Sequence, residues 1–241
     1  GFHSFLQKNM IPFESVMAKV WNTKIFKYID QEVNKASKKL AEERGACPDA
    51  AEYGIMERFS NKTAIAPTAS ISIICGGSSP GIEPIAGNSY THKTLSGSFN
   101  VRNKFLEELL KKYEKNTADV WSSITTNQGS VQHLDFLTEE EKDVFKTAFE
   151  LDQRWLIDLS ADRTPYISQA QSLNVFIPAD VHKRDLHQIH FQAWKKGLKS
   201  LYYCRSKSIQ RAEVVSKSFV ANVEKKDTNE SKNYEECLSC Q

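Results

Sequence analysis

No apolar run in these 241 residues is long enough to cross a bilayer as a helix, so nothing in the sequence places the chain in a membrane. Neither charge sign dominates. Lys and Arg number 32 against 30 Asp and Glu, a net charge of +2, and no broad basic field points to nucleic acid. Cysteine is scarce: five residues, with one close pair at the end. That excludes a disulfide framework and suits a reducing, cytoplasmic setting. The stretch Gly1–Met10 mixes His, Gln and Lys among its apolar residues and is not a signal peptide. The Gly/Ser loops carry no Walker lysine. His182, His187 and His190 fall on one predicted helix, but no carboxylate or cysteine completes a metal set with them, so they are read as solvated or interface residues.

What remains is an ordinary globular composition, 40% hydrophobic and 10% aromatic, enough for one domain or part of a larger one. Ile11–Leu40 repeats Val16, Val20, Ile29, Val33, Ala36 and Leu40 at spacings of three and four, a helix closed by Gly45 and Pro48. Asn61–Ala66 can form a strand, and from Pro67 to Gly97 there is little regular pattern beyond Ile71–Cys75. Val101–Tyr113 reads as a helix. Thr138, with Glu141 three residues on, predicts a capping box opening a long helix to about Asp162. Ser172–Ile177 is a buried-type strand, Asp180 can cap a helix that runs through Lys196 to Gly197, and Ser200–Cys204 is another strand. Helix and strand alternating over short connections predict a parallel α/β arrangement. After about Ser218 the character changes, and from Ala221 to Gln241 there is almost no apolar content, which predicts a flexible tail.

Three features carry chemistry. The loop Pro67-Thr68-Ala69-Ser70-Ile71 presents small residues, hydroxyls and backbone N–H groups that can surround a phosphate, although an ordinary Ser/Gly turn has the same composition. Tyr202 and Tyr203 are adjacent, and on a strand they would point to opposite faces. Cys237 and Cys240, two residues apart in the tail, suit thiol–disulfide exchange, half of a zinc site, or no role at all.

Taken in order, G-F-H-S-F-L-Q, I-P-F-E-S, the Pro67 loop, G-I-E-P at Gly81–Pro84, L-S-G-S-F at Leu95–Phe99, S-Q-A-Q-S-L-N at Ser168–Asn174, F-Q-A-W-K-K-G-L-K, L-Y-Y at Leu201–Tyr203 and the final E-C-L-S-C resemble the C-terminal part of the large subunit of class I ribonucleoside-diphosphate reductases. The resemblance implies an α/β fold that is part of a ten-stranded barrel over residues 1–218, followed by a redox tail at 219–241. It implies replacement of a ribose 2′-hydroxyl by hydrogen. Pro67, Thr68, Ala69, Ser70 and Ile71 would hold the diphosphate of a ribonucleoside diphosphate. Tyr202 and Tyr203 would relay a radical, and Cys237 and Cys240 would shuttle reducing equivalents from thioredoxin or glutaredoxin. This chain would bind no cofactor itself, because the metal or tyrosyl radical belongs to a small subunit, whose tail the Asp180–Lys196 region would help receive. The family's radical cysteine lies in an N-x-C-x-E pattern that is absent here. The expectation is therefore a C-terminal piece that works with an N-terminal large-subunit fragment.

Overall fold

The computed structural model describes residues 1–94 and 97–206, with the backbone alone at 91–94 and 97–99. The predicted tail, its boundary near residue 218, and Cys237 and Cys240 lie outside the described residues.

Helix α1 (Phe2–Lys8) packs its buried Phe2 and Leu6 into the main core. Helix α2 (Val16–Arg44) starts at Ser15, whose Oγ accepts from the Ala18 N–H at 3.1 Å, and stops at Gly45, where φ is +83°. Its buried face is not the predicted apolar stripe. Ala18, Asn22, Ser37 and Ala41 face inward, while Val16 and Val20 stand in solvent. Small residues let α2 approach its neighbour closely, and Asn22 Nδ2 donates to the Leu159 carbonyl at 2.8 Å.

After a short helix α3 (Pro48–Glu52), the stretch expected to lack regular structure holds helix α4 (Ala69–Ile74) and an antiparallel hairpin, β1 (Ser89–Thr94) with β2 (Gly97–Arg102). Helix α5 (Lys104–Lys112) therefore begins later than predicted, at an Asn103 cap, because Val101 and Arg102 belong to β2. Helix α6 (Ala118–Thr126) had no counterpart in the sequence reading; it packs Trp121 and Ile124 against Leu106 and Leu110 in a second core.

The predicted long helix from Thr138 is two. Helix α7 (Glu139–Val144) carries the capping box as expected. The chain then turns, with the Ala148 N–H donating to the Ile85 carbonyl at 2.8 Å. Asp152 starts α8 (Gln153–Arg163). Phe145 and Ala148, read as one helical stripe, are buried in that turn instead.

Strand β3 (Val175–Ile177), helix α9 (Lys183–Lys195) and strand β4 (Cys204–Ser206) form a parallel unit in which Val175 pairs with Cys204. The α9 cap is His182, whose Nδ1 accepts from the Arg184 N–H, rather than Asp180. Ile65 forms a parallel bridge with Gln171. Alternate backbone groups of a strand point to opposite edges. Ala170 and Ser172 bond to Ile65 on one edge, and Leu173 and Val175 bond to Tyr202 and Tyr203 on the other. The segment 170–177 thus lies between the approach to the Pro67 loop and the tyrosine pair. This central segment is held from below by α8 and α9, through the shared core of Leu156, Leu159, Leu173, Val175 and Ile189.

Candidate active site

Thr68 is the pivot of the Pro67 loop. It caps α4 with φ 54° and ψ 30°, a left-handed conformation that a β-branched residue adopts only under constraint. The constraint is visible: Thr68 Oγ1 accepts from the Gly81 N–H at 2.8 Å, and the Thr68 carbonyl accepts from the Ser72 N–H at 2.9 Å. The Thr68 hydroxyl proton is left to donate elsewhere. Ala69, Ser70 and Ile71 open α4, and the first N–H groups of a helix have no carbonyl partner inside it. Ser70 is exposed, and so is Ile71 at 58%. The five predicted loop residues thus lie together at the start of α4. Buried Ser72 is committed to the fold, donating from Oγ to the Ala69 carbonyl at 2.7 Å.

The G-I-E-P motif packs under this turn. Gly81 has φ +61°, and a Cβ there would lie 2.3 Å from Glu83 Oε2 and 3.4 Å from the Pro67 carbonyl. Only glycine fits that gap. Ile82 enters the main core, and Glu83, only 4% exposed, turns its carboxylate inward. Its Oε2 accepts from the Ile82 N–H at 2.9 Å. Its Oε1 accepts from the Asn174 N–H at 2.8 Å and from Asn174 Nδ2 at 2.5 Å. Glu83 also opposes a buried cation. Arg163 is fully enclosed against the Phe2 and Phe26 rings, with Nη2 donating to Ser160 Oγ at 2.9 Å. Burial pushes Arg163 down to about 9, against the pull of the Glu83 charge.

Tyr202 and Tyr203 lie just before β4, outside the regular pleat, so the expected opposition of their side chains does not hold. Their ring centroids are 4.2 Å apart at an interplanar angle of 54°. Both are half-exposed, at 43% and 44%, rather than core residues. Their backbone is fixed from the neighbouring segment: the Tyr202 N–H donates to the Leu173 carbonyl at 2.8 Å, the Val175 N–H donates to the Tyr203 carbonyl at 2.9 Å, and the Tyr203 N–H donates to Asn174 Oδ1 at 3.3 Å. The Arg205 guanidinium sits over the Tyr203 ring at 5.7 Å. Burial pushes the neighbouring Cys204 thiol up.

Glu83 and Asn174 were given no role by sequence reasoning, although both lie in motifs that drew attention. The available signal was chemical: a carboxylate set between Ile82 and Pro84, and an amide placed immediately before a buried Val-Phe-Ile strand.

The model of the ribonucleotide reductase barrel domain matches residues 49–204. The ribonucleoside-diphosphate reductase large subunit of Invertebrate iridescent virus 6 is 46% identical over 226 residues, covering 92% of this chain and 23% of the relative. That of Invertebrate iridescent virus 3 is 46% identical over 218 residues, covering 89% of this chain and 34% of the relative. Among solved structures, the class Id ribonucleotide reductase alpha subunit of Actinobacillus ureae superposes with a TM-score of 0.80 at 41% identity, covering 90% of this chain and 39% of that one. The chain thus spans 23% to 39% of the length of these relatives. With a matched segment that runs from α3 through the loop, the G-I-E-P turn and the tyrosine pair, this chain belongs to the ribonucleotide reductase barrel-domain family.

Proposed function

We propose that this chain supplies three parts of a ribonucleotide-reducing machine: the diphosphate loop at Pro67–Ile71, the radical relay at Tyr202 and Tyr203, and the shuttle thiols Cys237 and Cys240. The observation that carries the reading is the tyrosine pair. Two phenol rings in contact at 4.2 Å and half-exposed are poorly explained as core packing. They are well placed for an electron to pass between them together with one phenol proton. In one step, the ring that holds the radical takes an electron and a proton and returns to a closed-shell phenol, and its partner becomes the neutral radical. The radical cofactor of a small subunit supplies the oxidising equivalent that enters this pair.

The loop's part is electrostatic. The Thr68 and Ser70 hydroxyls and the Ala69 and Ile71 N–H groups offer neutral donors to a dianionic phosphate. Cys237 and Cys240, once oxidised to a disulfide, would be returned to thiols by exchange with thioredoxin or glutaredoxin. The reading requires a cysteine in an N-x-C-x-E setting, carried by an N-terminal large-subunit segment on this or another polypeptide. The exposed Ile71, Ile73 and Ile74 of α4 support an additional packed layer there. The basic and aromatic face of α9, with Phe191 and Trp194, is where the small subunit's tail would rest.

The experiment is Tyr203→Phe in the assembled enzyme. The expected result is turnover lost by roughly a thousandfold or more, with nucleoside diphosphate affinity within about threefold of the parent, because phenylalanine keeps the ring area but has no proton-coupled couple near that of a phenol. Full turnover in the variant would leave a phosphate-binding module as the better account.

A further inference from the structure

We infer that Glu83 is a positioning residue that ties the diphosphate loop to the tyrosine pair, so that occupancy of the loop is felt at Tyr203. The inference rests on the reading above for the identity of the two ends, but the connection between them is a short run of hydrogen bonds joined by the Gly81–Ile82 peptide link. Thr68 Oγ1 holds the Gly81 N–H, and the adjacent Ile82 N–H is held by Glu83 Oε2. Glu83 Oε1 takes both the N–H and the Nδ2 group of Asn174, and this double grip leaves Asn174 Oδ1 turned to the Tyr203 N–H. Beyond the Thr68 hydroxyl every member is backbone or a buried Glu or Asn, so no long exposed side chain intervenes.

Three physical points give Glu83 this role rather than one of general packing. First, its two oxygens meet only donors, so one rotamer satisfies both sides of the path and no other does. Second, the gap around it is closed. Gly81 leaves no room for even a Cβ beside Oε2, so a shift at Thr68 cannot be absorbed there. Third, Thr68 is already in a strained left-handed conformation that its own hydroxyl bond helps to hold. A phosphate that draws on the Thr68 hydroxyl acts on the most easily relaxed member of the chain.

The test uses the assembled reductase that contains this chain, with a fluorotyrosine at position 203 read by fluorine NMR. Addition of a nucleoside diphosphate should move the fluorine resonance in the parent. Glu83→Gln keeps the volume but sets an NH2 group against a donor. It should abolish that movement and lower kcat roughly ten- to hundredfold, the range expected for losing a charged hydrogen-bond acceptor. KM for the nucleotide should stay within about threefold, since Glu83 itself does not reach the loop's outer face. Asn174→Ala leaves the Glu83 charge in place and should give the same loss. The double variant should be no worse than the poorer single one, the signature of one shared path. A resonance that does not respond in the parent, one that responds equally in Glu83→Gln, or additive effects of the two substitutions would each overturn the inference. Failure of the relay reading is separate: it shows as turnover surviving Tyr203→Phe, whatever Glu83 does.

Discussion

His3 shows how strongly one enclosed position governs a residue's chemistry. It is fully buried, and its Nδ1 accepts from the Ile85 N–H at 3.1 Å. Loss of water pushes its ring down to about 3 from the ordinary 6.5. The unfolded chain therefore takes up a proton on His3 below pH 6.5, and the folded chain does not until about pH 3. Between those values the unfolded state binds more protons, so stability is full above pH 6.5 and falls as pH drops through the window. This group alone contributes a slope of about 1.4 kcal/mol per pH unit. Comparing the parent with His3→Gln by urea unfolding across that range should show a flatter pH profile in the variant. A profile unchanged by the substitution would mean the imidazole is not held neutral. None of this was legible in the sequence, where His3 is simply a histidine among Phe, Ser and Leu. The same holds for Glu83, whose role depends on Asn174, far away along the chain.

Elements were more legible than residues wherever the signal was local. The Thr138 and Glu141 capping box and the Gly45 stop stand where the pattern placed them, because caps are satisfied by backbone within a few residues. Periodicity misled where tertiary contacts chose the face. On α2 Val16, Val20 and Ile29 of the predicted stripe look outward, while Ala18, Asn22, Ser37 and Ala41 look in. The connection from α9 to β4 illustrates a contact that no local pattern announces. Lys199 Nζ donates to the carbonyls of Ile167, Ser168 and Gln169 at 3.0, 2.7 and 3.0 Å, spending all three of its donors on the segment beside the tyrosines. Lys199→Met should lower the unfolding free energy by about 1–2 kcal/mol and speed amide exchange at Tyr202. Arginine should restore only part of this, since its planar fork does not match three converging carbonyls. Unchanged exchange at Tyr202 would remove Lys199 from the account of how the pair is held.

At the scale of the whole molecule, the described residues leave much apolar surface in solvent: Ile74 is 85% exposed, Trp194 73%, Val16 71% and Ile73 59%. Adjacent Ile73 and Ile74 on α4 are the place where a covering layer is proposed. Mixing the purified chain with an N-terminal large-subunit segment of a close relative should give a stoichiometric complex in which exchange at Ile73 and Ile74 slows. Two species that never associate by native mass would leave the α4 surface without its proposed cover.

The sequence by itself determined the family and the order of its parts. Its motifs are short, local and arranged in one sequence along the chain, and a local pattern survives without knowledge of the fold. It also determined the caps, the Gly stops and the alternation that makes a parallel α/β unit. Tertiary structure alone decided which face of α2 is buried, that Tyr202 and Tyr203 touch, and that Glu83 bonds to Asn174 beside Tyr203. Those relations join residues distant in sequence through side chains packed to a few tenths of an ångström, and a linear pattern carries no record of such distances.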